Sequence, residues 1–124
     1  MPRSWSSRFG DRSRGGDVKY PVGTIAFYGP DNRHAAKVAV GIVYGEGGPE
    51  TEVERWFEQG LDVRLDPRIG REVVDFLRRK RVRQTVVARG IIGCPHEEGI
   101  DYAEGAECPR CPWWHGKDRF EHAE

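Results

Sequence analysis

Residues 20–45 read YPVGTIAFYGPDNRHAAKVAVGIVYG, and this stretch decides which kind of fold the chain can form. It contains two runs rich in β-branched and aromatic residues, 20–29 and 37–45, and such runs favour β-strands. The PDNRHAA between them carries turn-forming residues in Pro30, Asp31 and Asn32. The sequence therefore predicts a β-hairpin.

The second run of this hairpin is apolar on both sides of the predicted strand. Two sets of residues alternate along it: Val38, Val40 and Ile42 with Ala39, Gly41 and Val43. Strands that are apolar on both faces are typical of the interior of a sheet. We therefore expect this strand to have a neighbour on each side.

Three further elements follow the hairpin. TEVERWFEQ at 51–59 alternates in a way that suits a half-exposed third strand, although a short helix fits the same residues. Asp66 is a typical N-cap and Pro67 a typical first helical residue. A helix over 67–81 is predicted because four apolar residues after them share one face: Ile69, Val73, Phe76 and Leu77. RQTVVARGIIG then predicts a strand that leads directly into Cys94.

This order of elements predicts the α+β class. We expect a small mixed or antiparallel sheet, made of the hairpin, a third strand and a further strand after the helix, with the single helix covering one face. A zinc-ribbon-like knuckle over 93–115 completes a single domain spanning 20–124. Residues 1–19 are rich in Arg, Ser and Gly without periodicity, which predicts a flexible basic tail outside the core. The alternative is an arm that orders on RNA, with Trp5 and Phe9 stacking on bases.

Charge is balanced overall but segregated along the chain. The formal net charge of +0 argues against a uniformly basic nucleic-acid binder. A basic run at the end of the predicted helix nevertheless complements the helix dipole and could meet RNA or DNA phosphates: Arg78, Arg79, Lys80, Arg81 and Arg83. Since the chain has no apolar run of membrane-spanning length and no signal-peptide pattern, we expect a soluble, cytoplasmic protein without membrane contact.

The segment CPHEEGIDYAEGAECPRC, residues 94–111, contains all three cysteines of the chain. Its spacing is Cys94-x-His96, eleven intervening residues, then Cys108-x-x-Cys111. Zn(II) favours four nitrogen or sulfur ligands placed tetrahedrally, with thiolates in closely spaced pairs. We predict a closed, structural zinc site with these four ligands, and His115 is the alternative to the histidine ligand.

Three other interpretations of the cysteine segment are open to the sequence. The cysteines could be ordinary buried residues beside a surface histidine, or the C-x-x-C could be a redox dithiol, although no thioredoxin-like strand and helix frame it. His96 and Glu98 followed by C-x-x-C are also similar to the zinc deaminase motif, in which Glu98 would move protons. Eleven glycine-rich residues are too few for the strand that lies between the two halves of that motif, and Cys94 would fill the position that catalysis needs open.

The residues around the cysteines allow two roles each. Trp113 and Trp114 are expected to pack on the knuckle and the sheet, with an alternative role as exposed anchors for a partner protein or a base. Arg110 is expected to offset the negative charge of the thiolates. The carboxylates of the segment are expected to be solvated: Glu97, Glu98, Asp101, Glu104 and Glu107.

Two likenesses bear on function. The element order is similar to the ribonuclease H-like fold, but VGTIAFYG lacks the acidic residue that metal-dependent nucleases carry on the first strand. Residues 20–119 resemble a group of small bacterial zinc-binding proteins that share YPVGTIAxYGP, matched by Tyr20–Pro30, and GCPHEEG followed by CPxCPxW, matched by Gly93–Gly99 and Cys108–Trp113. The resemblance implies that the three cysteines and His96 act as one unit, and it implies no activity.

These observations favour a non-enzymatic, zinc-stabilised binding module that contacts RNA or DNA through residues 78–83 and the N-terminal arm. The alternative is a protein-interaction subunit of a larger assembly, which would use the acidic loop and the Trp113–Trp114 pair against a basic partner. A zinc-dependent hydrolase or deaminase-like enzyme is the third hypothesis, and it requires a site with a missing ligand.

Overall fold

A four-stranded sheet and one α-helix form the framework of the computed structural model, which describes residues 4–6, 18–48 and 52–116. The strands are β1 (Val22–Tyr28), β2 (Lys37–Val43), β3 (Glu52–Phe57) and β4 (Gln84–Ile91), and the helix α1 (Pro67–Arg79) lies between β3 and β4 in sequence. Short 3₁₀ turns occur at Val63–Leu65 and Pro112–Trp114. Within the described ranges, no helix has the length and apolar character needed to cross a membrane.

The sheet has the strand order β3-β2-β1-β4. The β1–β2 and β2–β3 pairs are antiparallel, whereas β4 pairs parallel to β1. The predicted α+β class with a mixed sheet is therefore confirmed, as are the hairpin and the interior position of β2. The cysteine segment starts where β4 ends, at the same edge of the sheet as the end of β1.

The core lies between the sheet and α1. Alternate residues of β1 and β2 point to the helix and are almost fully buried: Ile25, Phe27, Val38, Val40 and Ile42. The predicted apolar face of α1 meets them, since Ile69, Val73, Phe76 and Leu77 are all buried. Gly23 allows a close approach of β1 to the helix, because a Cβ at this position would lie 2.6 Å from Leu77 Cδ2.

The start of α1 is as predicted, and its end is two residues earlier. The Asp66 carboxylate accepts a hydrogen bond from the backbone N–H of Arg68 at 2.9 Å, and Pro67 occupies the first turn. The helix ends at Arg79 rather than at residue 81, because Arg81 adopts a left-handed φ of 57° that cannot continue a right-handed helix.

The prediction of a half-exposed third strand, rather than a helix, is confirmed by β3. Trp56 lies on the helix side, where its ring packs edge-on against Phe76 at 6.0 Å and its indole N–H donates to Glu72 at 2.9 Å. Phe57 points to the other face of the sheet and is 62% exposed. The larger apolar contribution of β3 to the core therefore comes from Trp56.

The expectation that residues 1–19 lie outside the core is wrong for Trp5. Its ring packs edge-on against Phe27 at 5.8 Å, and its indole N–H donates to the Val63 carbonyl at 2.9 Å. It lies so close to α1 that a Cβ on Gly70 would be 2.6 Å from Trp5 Cγ. The rest of the predicted tail, residues 1–3 and 7–17, lies outside the described residues.

Candidate metal centre

The cysteine segment is fixed to the end of β1 by two hydrogen bonds at one residue. The backbone N–H of Gly29 donates to the Gly93 carbonyl at 2.8 Å, just before the first cysteine. The Gly29 carbonyl accepts from the indole N–H of Trp114 at 2.8 Å, just after the last cysteine. Both ends of the segment are thereby held against the same point of the sheet, which brings its two halves together.

The four predicted ligands lie together. His96 Nδ1 is 3.3 Å from Cys94 Sγ, 3.4 Å from Cys108 Sγ and 3.6 Å from Cys111 Sγ. All four ligand atoms lie within 4.8 Å of one another, so they could hold one metal ion. Short turns create the two close pairs: the Cys94 sulfur accepts from the backbone N–H of His96, and the N–H of Cys111 donates to the Cys108 carbonyl.

Burial raises the pKa of two of the three cysteines, Cys94 and Cys111. Cys108 and Cys111 belong to the buried core, and Cys94 is half-buried. Burial raises the pKa of the Cys94 thiol and, more strongly, that of Cys111, where the neighbouring thiols raise it further. Without a cation these thiols hold their protons at neutral pH, whereas a bound metal ion displaces the protons and stabilises the thiolates.

His115, the alternative to His96 as the histidine ligand, contacts a backbone carbonyl and lies outside the four-residue cluster. His115 Nε2 lies 2.7 Å from the Cys108 carbonyl oxygen, and His115 is not part of the group of four ligand atoms. A ring at this position can orient the backbone of the C-x-x-C turn, which is a supporting role next to the ligands.

The two tryptophans differ in exposure. Trp114 is buried in the core that also contains Cys108 and Cys111, which is the packing role expected for it. Trp113 is half-buried and packs edge-on against Trp114, with ring centroids 4.8 Å apart. A partner could reach part of Trp113, whereas Trp114 is already engaged by the sheet.

The expectation of a fully solvated acidic loop is wrong for Glu97. Its carboxylate pairs with Lys37 Nζ at 3.0 Å and with Arg55 Nε at 2.7 Å. Burial raises the pKa of Glu97, but the hydrogen bond and charge of Lys37, together with Arg55, outweigh burial and leave the pKa below its usual value. Arg110, which we expected to offset the thiolate charge, is exposed, while the buried cation beside the segment is Lys37.

Sequence reasoning missed Lys37 and Arg55 as residues that contact the cysteine segment, residues 94–111, which is called the metal loop below. Lys37 opens an apolar strand, where a lysine normally reaches solvent, and Arg55 lies in an alternating strand among glutamates. They are 60 and 42 residues from Glu97 in the chain. No local pattern in the sequence carries a signal for contacts over such separations.

A cleft of about 150 Å³ lies beside the cysteines and is lined in part by Cys94, Glu98, Tyr102 and His115. Glu98, the proton carrier of the deaminase-like alternative, accepts a hydrogen bond from the Gly105 backbone N–H at 2.6 Å. Its carboxylate is therefore used to hold the turn of the loop. A catalytic metal ion needs an open coordination position, whereas this cluster offers four protein ligands.

The basic run lies at the end of α1 and in the turn that follows. Four of its five members are exposed: Arg78, Arg79, Arg81 and Arg83. Lys80 is half-buried and pairs with Glu52 of β3, and this contact lowers the pKa of Glu52. The run spans residues 78–83 and is separate from the four-residue Cys/His cluster in sequence.

When compared with family models, curated proteins and solved structures, the chain gives no match in any of the three. The resemblance to small bacterial zinc-binding proteins therefore stays a prediction.

Proposed function

We propose that this protein is a non-enzymatic binding module whose Cys/His cluster holds a structural zinc ion. The observation that carries the proposal is the arrangement of the three sulfurs around His96 Nδ1 at 3.3–3.6 Å. Zinc bonds of about 2.3 Å to sulfur and about 2.0 Å to nitrogen separate the nitrogen from each sulfur of a tetrahedral site by about 3.5 Å. The cluster therefore has nearly the dimensions of a zinc site.

The donor set supports zinc and a structural role. Three thiolates and one imidazole suit Zn(II) better than the hard cations Mg(II) and Ca(II), which favour oxygen ligands. Four protein ligands close the tetrahedron, and two of them are core residues. In a domain of this size a metal that ties residues 93–116 to the sheet contributes directly to folding.

The metal content of the purified protein tests this proposal. We expect one zinc per chain in the wild type, and loss of both zinc and thermal stability in Cys94→Ser, His96→Ala and Cys108→Ser. His115→Ala is the matched control, because it removes a neighbouring imidazole that is outside the ligand group. Zinc that survives the loss of His96, or a wild type without metal, would contradict the proposed ligand set.

We also propose that the module contacts RNA or DNA through the basic end of α1. The support is the exposure of four arginines at one end of the helix, where their charges add to one another with little shielding by protein. Since the guanidinium of Arg79 lies over the Phe76 ring, 5.9 Å from its centroid, the best candidates for phosphate contacts are the other three: Arg78, Arg81 and Arg83.

Salt-dependent binding of a fluorescent single-stranded RNA measures this contact. Each lost phosphate contact should reduce the slope of log affinity against log salt by about 0.7. We therefore expect Arg78→Ala/Arg81→Ala to weaken binding and flatten the slope, whereas Arg68→Ala/Arg71→Ala, an equal charge change at the other end of α1, should not. Equal effects of the two double variants would show that only overall charge matters.

The protein-interaction alternative is supported by one exposed side chain. Ile100 is 78% exposed at a turn of the acidic loop, between Glu98 and Asp101. A partner with a basic surface around an apolar pocket would fit this loop. Co-purification of one protein that is lost on Ile100→Ser, with no affinity for RNA, would favour this alternative.

A further inference from the structure

Lys37 is a buried lysine next to the proposed metal loop. Its side chain is only 4% exposed, and Nζ donates to the Pro95 carbonyl at 3.0 Å and to Glu97 Oε2 at 3.0 Å. The rings of Tyr28 and Phe57 flank the ammonium group, with centroids 5.2 Å and 5.6 Å from Nζ. A buried ammonium is costly unless such partners compensate for lost water, so this contact is a specific feature of the fold.

Both acceptors of Lys37 are immediate neighbours of proposed ligands. Pro95 lies between Cys94 and His96, and Glu97 follows His96 directly. One ammonium group therefore fixes the backbone on the N-terminal side of His96 and the side chain on its C-terminal side. This leaves the arm that carries two of the four ligands little freedom to rotate.

Arg55 holds the same carboxylate from the next strand. Its Nε lies 2.7 Å from Glu97 Oε2, and its Nη2 donates to Glu97 Oε1 at 3.3 Å. Since β2 and β3 are paired in the sheet, the two cations are presented by neighbouring strands whose spacing is fixed by the ladder. Glu97 is thus a link between the central sheet and the metal loop.

The charges of this contact also match those of the proposed centre. Three thiolates on one divalent cation leave one net negative charge, whereas Lys37, Arg55 and Glu97 together carry one net positive charge. The two groups are neighbours in the fold, because Lys37 and Arg55 pair with Glu97, the residue that follows His96.

We propose that Lys37 and Arg55 are positioning residues for the metal centre: through Pro95 and Glu97 they preform the Cys94–His96 arm and raise its affinity for the metal ion. This inference rests on the proposed zinc site. It goes beyond that site by making metal affinity depend on two cations of the sheet that do not touch the metal ion.

Competition with a chelator, using zinc and the full chain, measures the effect. Removal of groups that orient metal ligands typically costs about 10- to 100-fold in metal affinity, so we expect a loss in this range for Lys37→Met. The Co(II) absorption spectrum of the variant should keep the wild-type band positions, because all four ligands remain. A Lys37→Met/Glu97→Gln double variant should lose less than the sum of the two single changes, since the two residues act through one contact.

Two further variants separate positioning from general stability. Arg64→Met breaks a partly buried ion pair with Asp62, at 2.8 Å, that does not touch the metal loop, and should leave zinc affinity unchanged. Arg55→Gln alters a half-exposed side chain and should fold even where Lys37→Met does not, with a smaller loss of affinity.

The outcomes distinguish this inference from the proposed function. A wild type that binds no zinc would overturn the metal centre itself. A wild type that binds zinc, with Lys37→Met and Arg55→Gln losing no more affinity than Arg64→Met, would overturn the positioning role alone. A shifted Co(II) spectrum in Lys37→Met would also overturn it, because the ligand set would then have changed.

Discussion

Replacement of Gly70 by alanine tests the unexpected docking of Trp5 on α1. In a helix interior alanine is favoured over glycine by about 1 kcal/mol, so this change should stabilise an unobstructed helix. Here the new Cβ would lie 2.6 Å from Trp5 Cγ, 2.9 Å from Trp5 Cβ and 3.0 Å from Trp5 Cδ1. Such distances are too short for carbon atoms, so the indole must shift or leave.

The size of the destabilisation by Gly70→Ala follows from the contacts that the Trp5 indole would lose. A displaced Trp5 gives up its edge contact with Phe27 and its hydrogen bond to the Val63 carbonyl. Overpacking of this kind costs about 1–3 kcal/mol. With about 1 kcal/mol recovered from helix propensity, we expect Gly70→Ala to lower the free energy of unfolding by about 1 kcal/mol.

The effect of Gly70→Ala on the free energy of unfolding should change sign when Trp5 is absent. In a Trp5→Ala background the slot is empty, and Gly70→Ala should raise the free energy of unfolding by about 1 kcal/mol, which makes the coupling between the two positions about 2 kcal/mol. Urea unfolding followed by far-UV circular dichroism measures all four proteins. Equal effects of Gly70→Ala in both backgrounds would refute the docking of Trp5 against this helix.

The remaining predictions concern the metal, pH and the attachment of the knuckle. Chelation of the metal should lower the melting temperature by roughly 10–20 °C, as expected for the loss of about 3 kcal/mol of binding free energy, and calorimetry with and without chelator measures this shift. Burial raises the pKa of Asp62, but hydrogen bonds from Arg64 and from the backbone N–H of Ala35 outweigh it and leave the pKa lowered. The ionised carboxylate therefore stabilises the fold above about pH 4 and ceases to do so as the pH falls through the lowered pKa, so acid titrations should show a steeper loss of stability in wild type than in Asp62→Asn. Gly29→Ala should destabilise the protein by about 2 kcal/mol or more in urea unfolding, because the new Cβ would lie 1.9 Å from the His34 carbonyl oxygen, and a neutral effect would show that this turn is not as tight as described.

Local patterns were sufficient to predict the elements of the fold. The β-branched runs of residues 20–45, the alternation in residues 52–57 and the cap of Asp66 with the apolar face behind it all act within a few residues of chain, where backbone sterics and the side-chain period decide the conformation. The grouping of the four side chains that could bind a metal ion was predictable for the same reason. Cys94 with His96 and Cys108 with Cys111 form short-range pairs whose spacing is visible in the sequence.

The tertiary structure decided which of the aromatic residues are buried and which histidine joins the cysteines. The burial of Trp5 and the exposure of Phe57 depend on which face of the sheet receives the helix, and neither has a local signal. The discrimination between His96 and His115 likewise depends on where the returning chain places each ring, since both lie within a few residues of a cysteine.

By itself, the sequence determined that this chain forms an α+β domain with four side chains in its last third that could bind a metal ion, because periodicity, capping and cysteine spacing are short-range properties. Only the tertiary structure decided that β4 lies parallel to β1 and that Lys37 and Arg55 meet Glu97 beside those ligands. These contacts join residues dozens of positions apart. They form because burying the core brings the strands together, and no short segment of the chain specifies that arrangement.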